Sequence, residues 1–90
     1  MKMFEFLVKD PLGLHARPAG LLVKAAQGFE SESTLMLHRT GKSASLKRLL
    51  AVMGLAVKGG DTVTVTVQGS DEEQAADALR QWLQEHLGKE

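Results

Sequence analysis

Residues 13–19, which read GLHARPA, contain the side chains of this chain that are best suited to chemistry. His15 follows Gly13, which permits an unusual backbone turn, and precedes Pro18, which is tolerated in the first turn of a helix. These neighbours predict a helix N-terminus at His15, where free amides and the helix dipole favour a phosphate. Arg17 adds a planar fork of donors. The imidazole keeps a free lone pair in that positive field, so the pattern indicates a histidine that accepts a phosphoryl group.

A plainer interpretation of the same residues is a helix-capping His15 followed by a solvated Arg17. An isolated histidine and arginine at this spacing would favour that plainer interpretation. The other histidines, His38 and His86, do not complete a metal-ligand spacing, and the chain contains no cysteine. We therefore expect no metal and no cofactor. His86 is expected near the end of the last helix, where a histidine makes a favourable contact with the helix dipole.

The chain length predicts a single domain over residues 1–90, with one modest core. The 11 basic and 11 acidic side chains give zero net charge, which offers no support to binding of nucleic acid or of a membrane surface. No apolar run approaches a membrane span, and early charged residues argue against a signal peptide. The absence of cysteine is compatible with a reducing compartment. We therefore expect a cytoplasmic protein without membrane insertion.

Hydrophobic periodicity and turn residues predict the elements that position the GLHARPA segment. They indicate strands at residues 3–8, 34–39, 42–45 and 62–67, a helix from Ala16 to a cap at Gly28, a short helix within 46–57, and a last helix opened by a capping box of Ser70 and Glu73. Within them, the valines of the fourth strand should face the core and its threonines the solvent, while Trp82 should anchor the core. The order predicts an α+β open-faced sandwich, in which a mainly antiparallel four-stranded sheet carries three helices on one face.

Two blocks of the chain resemble the histidine-containing phosphocarrier family, HPr, of the phosphoenolpyruvate-dependent sugar phosphotransferase system. Residues 13–19 match the active-site signature of that family. Residues 46–55, LKRLLAVMGL, match its second-helix region and are followed by the turn at Lys58 and Gly59. The resemblance extends over essentially the whole chain, with both blocks in the expected order and at the expected distance.

The resemblance implies a specific activity for His15. Its Nδ1 would take a phosphoryl group from phosphorylated enzyme I and pass it to a histidine of a IIA component. Arg17 would hold the phosphoryl oxygens, together with the backbone amides of Ala16 and Arg17. The protein would be a phosphoryl carrier with a phosphohistidine intermediate and no turnover of its own, and a monomer is expected for such a transient shuttle.

The resemblance also implies a docking surface on the second helix, where Leu49, Leu50 and Met53 occupy the family's positions, and we expect Leu21 beside them. We further expect a basic rim that attracts acidic partners, formed by Lys24, Lys47 and Arg48. The alternative is that the apolar members are core residues and the charged members are ordinary surface groups. Arg48 also stands where Gram-positive members carry a regulatory serine, and arginine cannot accept that phosphoryl group, which puts the regulatory branch in doubt.

Two other functions stay open on the sequence. In the first alternative, the carrier serves a nitrogen-regulatory or dihydroxyacetone-kinase relay instead of sugar uptake. In the second, the chain is a regulatory binding module of the same fold. The presence of both His15 and Arg17 weighs against the second of these alternatives.

Overall fold

The computed structural model describes residues 1–89 and contains four strands and three helices in that range. They are β1 (Lys2–Leu7), α1 (Ala16–Gln27), β2 (Glu32–Leu37), β3 (Ser43–Ser45), α2 (Leu49–Gly54), β4 (Thr62–Gln68) and α3 (Glu72–Leu87). The strands form one sheet in the order β1-β4-β2-β3, and every neighbouring pair is antiparallel. No helix among these residues is long and apolar enough to cross a bilayer.

One face of the sheet carries the core, and its central strand shows why. In β4 the alternate residues Val63, Val65 and Val67 are buried, and Val65 lies opposite Phe4 of β1 and Leu35 of β2. Because side chains alternate across a strand, these residues share one face, on which the helices pack. The predicted α+β open-faced sandwich is therefore confirmed.

The apolar segment at residues 46–57 forms a shorter helix than its composition suggests. Only Leu49–Gly54 is helical, and Val52 is its buried residue. Leu46 before the helix and Leu55 and Val57 after it are also buried, although they lie in the flanking turns. The side chains of these three flanking residues enter the core although they are not part of the helix. This explains why the whole segment appears apolar on several helical faces.

The predicted capping box of Ser70 and Glu73 is wrong, because α3 begins two residues after Ser70. Asp71 is the N-cap residue, and its side chain makes no cap hydrogen bond. The Asp71 carboxylate instead accepts hydrogen bonds from the backbone amides of Glu30 and Ser31, both at 2.9 Å, and from the Ser31 hydroxyl. These three bonds hold the pKa of Asp71 below its ordinary value, with the Ser31 hydroxyl as the largest cause.

Two further predictions about side-chain environment need correction. Thr64, placed on the solvent face of β4, is only 9% exposed, and its hydroxyl lies 2.6 Å from His38 Nε2. Trp82 is only partly buried, because it packs against the core while its indole ring stacks on the ring of His86. In each case the side chain contacts the imidazole of a histidine.

Candidate functional site

His15 lies at the N-terminus of α1, as its neighbours in the sequence predict. It is the N-cap residue, with φ −85° and ψ −176°, and its carbonyl accepts the first helical hydrogen bond from Ala19 N at 2.9 Å. Its side chain is exposed and makes no capping hydrogen bond. First-turn amides have no acceptor within the helix, and Pro18 has no N–H, so the amides of Ala16 and Arg17 are the donors at this helix end.

The backbone before His15 is fixed by a close approach to the loop after α2. Gly13 has φ +66°, and Leu14 N donates to Val57 O at 3.0 Å. A Cβ on Gly13 would lie 2.6 Å from Lys58 Cα and would also collide with the Val57 carbonyl oxygen. The buried side chain of Leu14 anchors the next residue in the core. The glycine is therefore needed for both its conformation and its lack of a side chain.

His15 lies in the lining of a shallow depression of about 400 Å³. Its lining residues are Asp10, His15, Arg17, Pro18, Leu21 and His86. The structure thus brings His15, Arg17 and Leu21 together, as expected, and Arg17 is exposed to solvent at the site. Asp10 and His86 are additional members that the sequence does not predict for this site, because its local patterns indicate only a helix-end position for His86.

Hydrogen bonds to the last turn of α3 explain why His86 reaches this depression. Leu87 O accepts from Lys9 N at 2.8 Å and from Asp10 N at 3.2 Å. These two bonds satisfy a carbonyl at the helix C-terminus, where carbonyls have no intrahelical donor. They also fasten the loop between β1 and α1 to the residue that follows His86. This contact joins distant parts of the chain, so no local sequence pattern signals it.

An ion pair supports the loop that packs against Gly13. Arg39 Nε and Nη2 donate to the two carboxylate oxygens of Asp61 at 3.1 and 3.2 Å, and Arg39 Nη2 also donates to Ala56 O at 3.1 Å. Asp61 Oδ2 accepts from Lys58 N at 2.8 Å. The Arg39 hydrogen bonds, followed by the Lys58 amide, hold the pKa of Asp61 below its ordinary value.

The expected docking residues are on the surface of two helices that pack against each other. The apolar ones are Leu21, Leu49, Leu50 and Met53, with exposed fractions of 48%, 39%, 83% and 38%. Leu49 and Met53 are therefore partly buried surface residues and not members of the core. These two residues are four apart on α2 and share one face of it.

The basic residues near these helices divide into two groups. Lys24 and Arg48 are exposed, and Arg48 is the N-cap residue of α2. Lys47 is partly buried, and its Nζ donates to Phe29 O at 2.9 Å just beyond the end of α1. Lys47 is therefore a structural contact and not part of a free basic rim. Among residues 1–89, no group of three or more histidine, aspartate or glutamate side chains is placed to hold a metal ion.

Comparisons with known proteins agree with this geometry. Residues 2–85 match the family described as "PTS HPr component phosphorylation site". The phosphocarrier protein HPr of Lysinibacillus sphaericus is 48% identical over 85 residues, which cover 94% of each chain. The structure of HPr-C-His from Thermoanaerobacter tengcongensis superposes with a TM-score of 0.90 at 34% identity, covering 100% of this chain and 99% of that one.

A third similar protein is a catabolite-repression relative. The Bacillus subtilis protein Crh, whose crystal structure is described as a domain-swapped dimer, is 37% identical, with a TM-score of 0.74 over 97% of this chain and 98% of its own. The family match covers nearly all of the chain, and the structures agree over its full length. The chain therefore belongs to the HPr family, the histidine-containing phosphocarriers of the phosphoenolpyruvate-dependent sugar phosphotransferase system.

Proposed function

We propose that His15 accepts a phosphoryl group from phosphorylated enzyme I and transfers it to a histidine of a IIA component. The observation that carries this proposal is the exposed imidazole of His15 at the start of α1, beside Arg17 in one open depression. The lone pair of His15 Nδ1 attacks phosphorus, the donor's P–N bond breaks, and its electron pair returns to the donor ring. Onward transfer repeats this exchange with the acceptor's nitrogen, so the chain achieves no net turnover alone.

The chemistry needs positioning and charge stabilisation more than it needs covalent machinery. The amides of Ala16 and Arg17 point out of the first turn of α1 and donate to the phosphoryl oxygens. The Arg17 guanidinium adds a fork of donors that matches two of those oxygens. Since these donors are held by the backbone and the helix, little reorganisation is required when charge develops.

Leu21, Leu49, Leu50 and Met53 are proposed to form the surface on which both the donor and the acceptors dock. Their exposure leaves an apolar surface without a partner in the described chain, and the flexible Met53 side chain suits a surface that engages several proteins. Lys24 and Arg48 would attract acidic partners at its edge. One surface for all partners would make binding mutually exclusive, as a shuttle requires.

Incubation with phosphoenolpyruvate and enzyme I tests the first transfer. The expected product is an acid-labile, alkali-stable adduct of one phosphoryl group on His15, located by mass spectrometry under alkaline conditions. His15→Ala should give no adduct, while His38→Ala should be labelled like the parent, because His38 lies beside Thr64 away from the depression. An unlabelled parent protein would contradict the proposal. Adding purified IIA components then tests onward transfer.

A regulatory binding module is the second candidate, and the likeness to Crh supports it. Such a protein would use the α2 surface without carrying phosphate. Cellular effects would then persist in His15→Ala and disappear in Met53→Glu, whereas a carrier loses function in both. The position of Arg48 argues against control by phosphorylation at that residue, because its side chain has no hydroxyl group.

We further propose that the chain acts as a monomer in the cytoplasm, where it meets its donor and acceptors. A shuttle must expose the same surface to successive partners, and a dimer that covered α2 would prevent this. Sedimentation equilibrium should give a mass near the 9.7 kDa of one chain. A stable dimer of twice that mass would exclude the monomeric shuttle.

A further inference from the structure

His86 and His15 line the same depression, although they lie at opposite ends of the chain. His86 enters from the last turn of α3, which the Lys9 and Asp10 amides fasten to the loop before His15. The family match ends at residue 85 and therefore does not include His86. The proposed phosphoryl transfer through His15 gives no role to this second imidazole.

The ring of His86 is held in one orientation by Trp82. The two rings stack with centroids 4.2 Å apart and planes 13° from parallel. His86 Nδ1 also lies 2.9 Å from Trp82 O. Because a carbonyl oxygen can only accept, Nδ1 must carry the proton of this bond. Nε2 is therefore the nitrogen that stays available to the depression.

The protonation of Nε2 decides how His86 meets a phosphoryl group. In the neutral ring Nε2 presents a lone pair, which repels phosphoryl oxygens. In the imidazolium both nitrogens are donors, and Nε2–H makes a charge-assisted hydrogen bond to an anionic oxygen. A phosphoryl group on His15 adds roughly two negative charges to the depression and so favours the imidazolium.

We propose that His86 is an additional phosphoryl-binding residue, which takes up a proton from solvent at Nε2 when His15 is phosphorylated and then donates to a phosphoryl oxygen. This proposal rests on the proposed function of His15. The P–N bond to His15 forms as the P–N bond of the donor breaks, and the N–H bond at His86 Nε2 forms with a proton taken from the buffered solvent. Since coupling is reciprocal, a protonated His86 stabilises the phosphorylated protein and makes onward transfer less favourable at low pH.

Other charges around His86 act before and after phosphorylation alike. The depression also contains the Asp10 carboxylate and the Arg17 guanidinium. Asp10 Oδ1 already accepts a hydrogen bond from the backbone amide of Leu12. On α3, Glu85 accepts a hydrogen bond from Gln81, and Lys89 follows the helix. The phosphoryl group is the one new charge, so a change in His86 on phosphorylation measures its effect.

Nuclear magnetic resonance of the histidine ring nitrogens tests the proton uptake directly. The protein is phosphorylated with phosphoramidate, a chemical donor that needs no partner protein, and is compared with the free form near pH 7. The ¹⁵N shift of His86 Nε2 should move from the unprotonated toward the protonated range, while His38, beside Thr64, should not change. Asp10→Asn should show the same movement. An unchanged His86 in a protein phosphorylated at His15 would overturn the proposal.

Competition between variants tests the energetic coupling. The variant His86→Phe keeps an aromatic ring for Trp82 and lacks both nitrogens. It is mixed with an equal amount of the parent protein, a catalytic amount of enzyme I, and less phosphoenolpyruvate than the total amount of the two chains. The parent should retain about threefold to tenfold more phosphoryl group near pH 6, and the excess should shrink near pH 8. Equal retention at both pH values would refute the role of His86. If neither chain were labelled on His15, the proposed function would fail, and this proposal with it.

Discussion

Gly13 lies so close to the backbone of Lys58 that a Cβ added to it would stand 2.6 Å from Lys58 Cα. Such a distance is shorter than van der Waals contact, and the obstructing atoms belong to the backbone, which cannot rotate away. The loop before His15 and the loop after α2 are therefore packed against each other without side chains between them. Substitutions in this contact should affect both stability and the position of His15.

Gly13→Ala is expected to lower the free energy of unfolding by about 2–4 kcal/mol, because it combines a positive φ with a backbone collision. Urea denaturation followed by circular dichroism measures this loss. Where the variant is still folded, phosphorylation of His15 should also be slower, since the backbone shift moves the imidazole away from the Ala16 and Arg17 amides.

Gly41→Ala provides the matched control for that substitution. Gly41 has φ +75°, but a Cβ there would have no heavy atom within 4 Å. Only the conformational penalty applies, so the expected loss is about 1–2 kcal/mol, with no effect on phosphorylation. Equal losses of stability for the two variants would show that the contact with Lys58 is unimportant.

Arg17→Lys should separate the effect of charge from that of geometry at the proposed phosphoryl site. Lysine keeps the positive charge but lacks the planar fork, so we expect transfer from enzyme I to slow by about tenfold to a hundredfold. Stability should not change, because Arg17 is exposed. Rapid-quench kinetics measures the rate. Lys2→Ala, which removes an exposed charge at the far end of β1, should leave the rate unchanged.

Leu50→Glu should weaken docking without weakening the fold. Leu50 is 83% exposed, so a charged side chain there costs little stability. If the residue is a docking contact, the KM of enzyme I for this protein as its substrate should rise about tenfold to thirtyfold, while kcat changes little. Met3→Glu is the control, since Met3 is 63% exposed on the open face of the sheet. Equal effects of both substitutions would indicate general repulsion instead of a specific surface.

Ala56→Gly should stabilise the protein. Ala56 has φ +56°, a conformation that disfavours residues with a Cβ, and Arg39 holds its carbonyl oxygen there. Relief of this strain outweighs the greater flexibility of glycine in the unfolded chain, giving a gain of up to about 1 kcal/mol. Thermal unfolding measures the gain. A loss of stability would mean that the left-handed conformation carries no strain.

Acid should remove the contribution of Asp71. Its pKa in the folded protein lies below the ordinary value of 3.8, with the Ser31 hydroxyl as the largest cause. The stabilisation is therefore fully present above that ordinary value and is lost as the pH falls through the lowered folded-state pKa. In unfolding measured from neutral to acidic pH, Asp71→Asn should be less stable than the parent at neutral pH, and the difference should shrink in acid.

Much of the fold follows from local patterns in the sequence. The alternating valines of β4 and the helical spacing after Ala16 identify the face of each element that meets the core, and Gly28 ends α1 as expected. The GLHARPA segment predicts the N-cap position of His15, because Gly13 and Pro18 each restrict the backbone in a way that local chemistry determines.

The missed features depend on contacts between distant parts of the chain. The Asp71 carboxylate caps the Glu30–Ser31 turn instead of its own helix, which no capping-box pattern could reveal. Likewise, Trp82 stacks on His86, and His86 reaches the His15 depression only because α3 ends beside the loop before α1. Sequence periodicity identifies the buried face of a helix, but it does not identify what the end of that helix meets.

The two hydrogen bonds that Leu87 O accepts from Lys9 and Asp10 have a dynamic consequence. Helix ends fray, and each fraying event in the last turn of α3 would release both amide protons to solvent. Hydrogen–deuterium exchange at Lys9 and Asp10 therefore reports how often the contact between the end of α3 and the loop before His15 opens, even though neither residue belongs to that helix.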